Sequence, residues 1–296
     1  MAEEHQHELE INLEKSVGVI FFVFIIELIG GLLSGSLALL SDAIHMITDV
    51  VALALVLGAT FLAKKHPSIK RTYGYHRVEV FVSVANGLLL IFLAAALFIG
   101  VLSRFENEKV ILTTPMIITT VIGLLANLYV LNKLKKQKDV TTQSAVLHVL
   151  SDSVFSVIVL ITGIIIALTG IHQIDSIVTL IFIPFIVYGA IGVLANAFEI
   201  LFESAPESVN VPRIVAKIKR QKGIIGVHSV HVWTICPHIH IFTAHIQTNI
   251  EKTKNTWGVS KKIKFILKGE NIRNSTLQFE YSKRKHSLIK KLEHSA

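Results

Sequence analysis

The sequence predicts a membrane all-α bundle of six transmembrane helices with a C-terminal α+β cytosolic domain, ferredoxin-like (metallochaperone-like) in its element order. Three observations predict it. Of 296 residues, 52% are hydrophobic and 17% charged, with a mean hydropathy of +0.60, too apolar for a soluble domain and too long for one span. Six apolar stretches are long enough to cross about 30 Å of hydrocarbon. Beyond Glu203 these runs give way to short amphipathic segments, with Pro206 and Pro212 marking the change.

Residues 1–15 read as an acidic cytosolic tail. Glu3, Glu4, Glu8, Glu10 and Glu14 stand against Lys15, so the positive n-region of a cleaved signal peptide is lacking and the first apolar run is expected to stay in the protein. The transmembrane domain covers 16–203, with spans near 16–36, 37–63, 78–102, 113–132, 141–170 and 174–202. Lys64, Lys65, Lys70, Arg71 and Arg77 follow the second span, and Lys133, Lys135, Lys136 and Lys138 follow the fourth. The first, third and fifth links carry almost no net positive charge. By the positive-inside rule both termini face the cytoplasm, and in a bacterium the membrane is the cell membrane.

The cytosolic domain covers 204–281. Ile214 to Gln221 is amphipathic, Val227 to Ile235 and Ile239 to Thr248 alternate as strands, Trp257 to Lys268 reads as a helix, and Ser275 to Tyr281 as a last strand. That αββαβ order suggests the ferredoxin-like class. Residues 282–296 form a basic tail, expected to fray.

The net charge of +8 is concentrated after residue 210, at Lys217, Lys219, Arg220, Lys222, Lys261, Lys262 and Lys264 among others. No aromatic-interleaved basic motif accompanies it, so no nucleic-acid partner is expected; exposure beside an anionic leaflet accounts for the bias. Cys236 is the only cysteine, which excludes an internal disulfide, a multi-cysteine zinc knuckle and a redox pair. Metal chemistry must rest mainly on His, Asp and Glu.

Two phrases inside the apolar half carry that chemistry: His45-Met46-Ile47-Thr48-Asp49 and His148-Val149-Leu150-Ser151-Asp152. An ionisable side chain there costs roughly 2.5–3.5 kcal/mol on insertion scales, so each is a functional-site candidate. Residues i and i+4 share a helix face, so each phrase offers one nitrogen and one oxygen, half a site. With the N-terminus inside, the second and fifth helices are antiparallel. If the half-sites meet, Asp49 lies level with His148 and His45 with Asp152. Counting about 1.5 Å per residue from the cytoplasmic ends leaves Asp49 about two turns deeper than His148; the fifth span is longer than a bilayer needs, and a later start closes that gap.

Two imidazoles and two carboxylates suit tetrahedral Zn2+, with Co2+ and Cd2+ also fitting, and suit Mg2+ or Ca2+ poorly. A polar couple holding two helices together explains one such phrase but does not require the duplicated spacing. Asp42 lies three residues before His45, as a further member of that face, a supporting acceptor or a packing residue. Glu27, Asn86 and Asn127 add polarity to spans one, three and four, either hydrating a path or bonding between helices.

In this setting the chain resembles the cation diffusion facilitator family of divalent-metal transporters. The matching residues are Gly30-Gly31-Leu32-Leu33-Ser34-Gly35-Ser36-Leu37-Ala38-Leu39-Leu40-Ser41-Asp42-Ala43-Ile44-His45 running to Asp49, then Tyr73-Gly74-Tyr75-His76-Arg77-Val78-Glu79, then His148 to Asp152. His228-Ser229-Val230-His231-Val232-Trp233-Thr234 and Thr243-Ala244-His245 resemble the family's tail domain, so the likeness runs from about residue 16 to 281. It implies a homodimer of six-helix subunits exporting zinc or a related ion in exchange for protons, with His-Asp pairs on both helices resembling the zinc branch. Arg71 and Tyr75 stand where some members place histidines in a cytoplasmic-link site, so that site is not assigned.

The resemblance also implies a regulatory metal site in the tail, for which His228, His231, His245 and Glu280 are the nearest positions; Gln278 stands where some members have a histidine. Strand alternation puts His228 and His231 on opposite faces. His238 and His240 are further donors in the hairpin, and His5 and His7 in the N-terminal tail. Imidazole and carboxylate must shed protons to bind metal, so one site holds either the ion or protons, which is a physical basis for exchange. A di-iron membrane enzyme would need Glu-x-x-His pairs on bundle helices, and the spans contain none, so no enzyme is expected. A metal sensor that does not transport would share the tail histidines but has no need of ionisable residues deep in the bilayer.

Overall fold

A computed structural model describes residues 18, 21–47, 51, 68–107, 109–134, 140–248 and 256–281, with residues 134, 140–145 and 148 by backbone alone. The first part contains α1 (Phe21–Ser34), α2 (Leu37–Ile47), α3 (Arg77–Glu106), α4 (Thr113–Leu134), α5 (Val140–Thr169) and α6 (Gln173–Leu201). Helices α3 to α6 are long and apolar enough to cross a membrane, and α1 and α2 are shorter apolar helices. Residues 48–50 and 52–63 of the second predicted span lie outside the described residues, as do 16, 17, 19 and 20 of the first. The chain falls into two compact units, one holding α1, α2, α4, α5 and most of α3 and α6, the other holding the ends of α3 and α6 nearest the C-terminal domain together with that domain.

In the first unit the helix surfaces are apolar outside as well as inside. Phe92, Ile99 and Leu168 are 68%, 65% and 81% exposed, on faces that a water-soluble helix would make polar. Lipid is the solvent that suits them. Helix α2 sits at the centre of the packing. Leu37 joins Leu90, Leu97 and Ile186 of α3 and α6, Leu39 joins Met116, Val159 and Phe182 of α4, α5 and α6, and Ala43 and Met46 join Val23 and Phe24 of α1. A helix packed on every side presents each of its polar residues to another helix.

The turn from α1 to α2 follows from local chemistry. Gly35 takes φ 70°, a left-handed conformation glycine adopts without strain, and ends α1. Ser36 then caps α2, its Oγ accepting from Leu39 N at 3.0 Å. Helix α5 runs unbroken from Val140 to Thr169.

The second unit carries α7 (Val211–Lys219), β1 (Ile224–Cys236), β2 (Ile239–Thr248), α8 (Thr256–Gly269) and β3 (Asn274–Tyr281), the αββαβ order expected. Asn210 caps α7 by accepting from Arg213 N at 3.0 Å, and Pro212 occupies the first turn, where its missing N–H costs nothing. The sheet runs β1-β2-β3, antiparallel between β1 and β2 and parallel between β2 and β3. Ile214 and Ile218 of α7, Ile263 and Leu267 of α8, and Phe242 and Ile246 of β2 are fully buried in one core, so that among the described residues of this unit both helices cover the same sheet face. In the same unit Arg77 Nη2 meets Glu203 Oε1 at 3.0 Å; both side chains are about half exposed, so the pair contributes little to stability.

Candidate metal centres

Helices α2 and α5 bring one donor of each phrase together. His45 projects from α2 and Asp152 from α5, with Nε2 and Oδ1 3.9 Å apart. This is the level pairing expected of antiparallel helices. A tetrahedral ion with bonds of 2.0–2.1 Å places neighbouring donors about 3.3 Å apart, so the observed gap needs only a small closure. Asp49 lies outside the described residues, and so does the side chain of His148, whose backbone lies in α5.

Aromatic and acidic groups surround this pair. The His45 ring meets Phe155 edge-on at 5.5 Å, and Phe155 in turn packs on Phe182 and Phe185 of α6. A cavity of about 10 Å3, close to the size of a single water, lies between Asp42, His45 and these rings. Asp42 is buried, and its Oδ2 accepts from Ser156 Oγ at 3.2 Å, which ties α2 to α5 one turn from His45. Of the three roles open to Asp42, this contact makes it an acceptor between helices.

Glu27, Asn86 and Asn127 are buried, and neither Glu27 oxygen, Asn86 Oδ1 nor Asn127 Nδ2 has a hydrogen-bond partner among the described residues. Bonding between helices therefore does not account for those atoms. The Glu27 carboxylate instead lies where α4 has no side chain: a Cβ on Gly123 would stand 3.1 Å from Glu27 Cδ and closer still to Oε1.

At the other end of α2 the structure contains an ionic knot that sequence reasoning missed. Asp175, fully buried at the start of α6, accepts from Ser36 Oγ at 2.5 Å, Leu37 N at 2.7 Å and Ala38 N at 3.3 Å. It thereby satisfies donors that the first turn of α2 leaves open and sets a negative charge at the positive end of the helix. Arg104 at the end of α3 balances it, with Nη1 2.9 Å from Asp175 Oδ2, and also donates to the Gly35 carbonyl. Nearby, Ile111 N donates to His172 Nδ1 at 3.3 Å. The available signal was a lone arginine and a lone aspartate, each at the end of an apolar span opposite the lysine-rich links.

The C-terminal sheet gathers a second set of donors. His228 on β1 and His245 on β2 are register partners, and Glu280 on β3 reaches both. His228 Nε2 is 2.8 Å from Glu280 Oε2 and His245 Nδ1 is 2.7 Å from Oε1. One donor atom from each residue lies within 4.8 Å of the others, on the sheet face away from the helices. Burial acts to raise the Glu280 carboxyl, but the hydrogen bonds to His245 and His228 outweigh it and hold the group below the ordinary carboxylate range. Two imidazoles and a carboxylate make an N2O set suited to Zn2+ or Co2+ with one position left open.

His231 stands apart from these three. Simple alternation put it opposite His228, but the strand bulges between them at Ser229 (φ 48°), so that His228 pairs with His245 and His231 with Thr243. The extra residue restores parity and brings both histidines to the same side in register. His231 is exposed and lines a groove with Val230, Trp233 and Thr243 instead. In the hairpin, His240 is buried with Nδ1 3.3 Å from Thr234 Oγ1, and burial followed by the neighbouring His238 lowers its pKa; His238 is exposed. His5 and His7 lie outside the described residues.

Comparison with known proteins bears on the whole chain. Residues 15–202 match the cation efflux transmembrane domain. Similar proteins include the cadmium, cobalt and zinc/H(+)-K(+) antiporter of Bacillus subtilis, 32% identical with 95% of this chain and 93% of the relative covered. The zinc transporter ZitB of Pectobacterium atrosepticum is 31% identical over 96% and 90%, and the metal cation efflux system protein CzcD of Cupriavidus metallidurans is 30% identical over 95% and 90%. With four apolar spans among the described residues, a small C-terminal sheet domain and this likeness along almost its whole length, the chain belongs to the cation diffusion facilitator family of cation efflux transporters, membrane carriers rather than enzymes.

Proposed function

We propose that this protein is a proton-coupled antiporter that exports Zn2+, and also Cd2+ or Co2+, from the cytoplasm through a tetrahedral site of His45, Asp49, His148 and Asp152. The observation that carries the reading is the 3.9 Å approach of His45 to Asp152 between α2 and α5. The relatives named for zinc, and for antiport of cadmium, cobalt and zinc against H(+)-K(+), support the choice of ions.

The chemistry follows from the donor set. His45 and His148 bind metal only as neutral rings, and imidazole titrates nearest physiological pH. Asp49 and Asp152 neutralise the charge of a divalent ion in a low-dielectric setting. With the site open to the cytoplasm the ion displaces protons; with it open to the far side, higher proton activity displaces the ion and the protonated ligands return. Both termini are cytoplasmic, α1 and α2 complete six spans, and two subunits form a homodimer. The ferredoxin-like domain binds regulatory metal through His228, His245 and Glu280, and such binding favours transport only if the two poses differ in affinity for it.

The test is zinc flux in liposomes carrying the purified protein and a pH gradient. Replacing His45, Asp49, His148 or Asp152 singly by Ala should reduce flux to background, and Mn2+ should move poorly beside Zn2+, Cd2+ and Co2+. Wild-type flux in Asp49→Ala or Asp152→Ala would refute the site. Replacing His228 and His245 together should shift the zinc dependence of transport without abolishing it; an unchanged dependence points to a constitutive dimer clamp.

A further inference from the structure

Helix α8 has two faces, and the chain's core explains only one. Val259, Ile263 and Leu267 are buried against the sheet. The opposite face carries Trp257, Lys261, Lys264, Phe265 and Lys268, which fall within one stripe at 100° per residue. Trp257 is 73% and Phe265 80% exposed, and the Lys261 ammonium lies 5.4 Å from the centre of the Trp257 ring. Residues 256–269 contain no acidic side chain, and Glu270 just beyond is engaged by Lys217 at 2.5 Å. Large aromatics so exposed in a water-facing helix mark an interaction surface, and lysines around them fix its sign.

We infer that this face of α8 docks on the anionic headgroups of the membrane that the chain itself spans, with Trp257 and Phe265 entering the interface and the lysines pairing with lipid phosphate. Charge selects this occupant. A second copy seated on the same face would bring identical lysines together in a two-fold contact, which repels. A bilayer with acidic lipids presents the opposite sign, and tryptophan favours its interfacial zone. The tether also selects it: α6 ends at Leu201 and α7 begins at Val211, and the intervening chain reaches at most about 30 Å. The domain therefore samples the leaflet at high effective concentration, and marginal interfacial contacts suffice to hold it. This inference rests on the membrane placement of the chain and is independent of which ion the transport site carries.

Trp233 and Trp257 are the chain's two tryptophans and both lie in the C-terminal domain, so the spans contribute no tryptophan signal. Full-length protein carrying Trp233→Phe is placed in nanodiscs of phosphatidylglycerol or phosphatidylcholine, each with brominated acyl chains, and Trp257 emission is read. Strong quenching is expected in the anionic discs and not in the zwitterionic ones, and it should weaken as salt rises. Lys261→Glu, Lys264→Glu and Lys268→Glu together should weaken docking by about a hundredfold, about fivefold for each lysine, and return emission to the zwitterionic level. The Lys→Ala triple variant gives the same direction with less perturbation, and zinc flux in parallel reports that the carrier is intact. Equal emission in all discs overturns the inference. So does quenching that ignores lipid charge, or Trp257 shielded without quenching, which assigns the face to a protein partner.

Discussion

Replacing Asp175 by Ala should destabilise the membrane domain by about 3–5 kcal/mol, the cost of removing one partner from a buried ion pair. Its carboxylate is fully buried, and the Arg104 side chain is 11% exposed, so Arg104 would keep its charge in a site with little water. The substitution also strips the acceptor from Leu37 N and Ala38 N and from the Ser36 hydroxyl, each a donor whose loss costs about 1–3 kcal/mol if it stays dry. These terms overlap, because water entering beside Arg104 would reach the same donors, so the range for the pair is the better figure. Equilibrium unfolding of the purified carrier in mixed detergent, followed by helical circular dichroism, measures it. Asp175→Asn should cost less, since the amide oxygen still accepts from α2. Arg104→Met together with Asp175→Ala should recover part of the loss, because no uncompensated charge remains. A loss below about 1 kcal/mol for Asp175→Ala, or a double variant as unstable as the sum of the singles, would refute the view that charge pairing governs this end of the bundle.

Gly123→Leu should destabilise the carrier by about 1–3 kcal/mol and reduce flux, since its side chain must displace the Glu27 carboxylate from a packed seam; unaltered melting would show that seam to be loose. Phe242→Ala, at the centre of the C-terminal domain's core, should cost about 3–5 kcal/mol in urea unfolding read by tryptophan emission. Glu280→Gln should remove stability that depends on pH. Because the folded carboxyl is held low, its contribution is complete above the ordinary value of about 4.3 and is lost as pH falls through the lowered value, so wild type and variant should converge in acid and differ by a constant amount above it. A difference that grew on acidification would contradict that assignment. The same variant should bind zinc at least tenfold more weakly in titrations of the full-length protein in detergent, since it loses a charged donor.

The apolar spans, the αββαβ order and the two His-x-x-x-Asp phrases were legible because each is a local property. Hydropathy, the period of a strand and the i, i+4 spacing depend only on neighbours in the chain. Cost made the intramembrane residues conspicuous, and the charged links supplied the antiparallel sense that pairs His45 with Asp152. The choice among tail histidines was not legible. Alternation failed at Ser229 because a bulge adds one residue and flips every position after it, and no local pattern announces which residue will bulge.

By itself, then, the sequence determined that this protein crosses a membrane several times and sets two His-x-x-x-Asp phrases in its apolar half, because run length, hydropathy and i, i+4 spacing are local properties of the chain. Only the tertiary structure decided which donors meet. It joined His228, His245 and Glu280 across three strands, and it brought Asp175 and Arg104 to the N-terminus of α2 from points 71 residues apart in the chain. Such contacts are set by the packing of whole helices and by strand register, which depend on every residue along the interface, and so they are absent from any local reading of the chain.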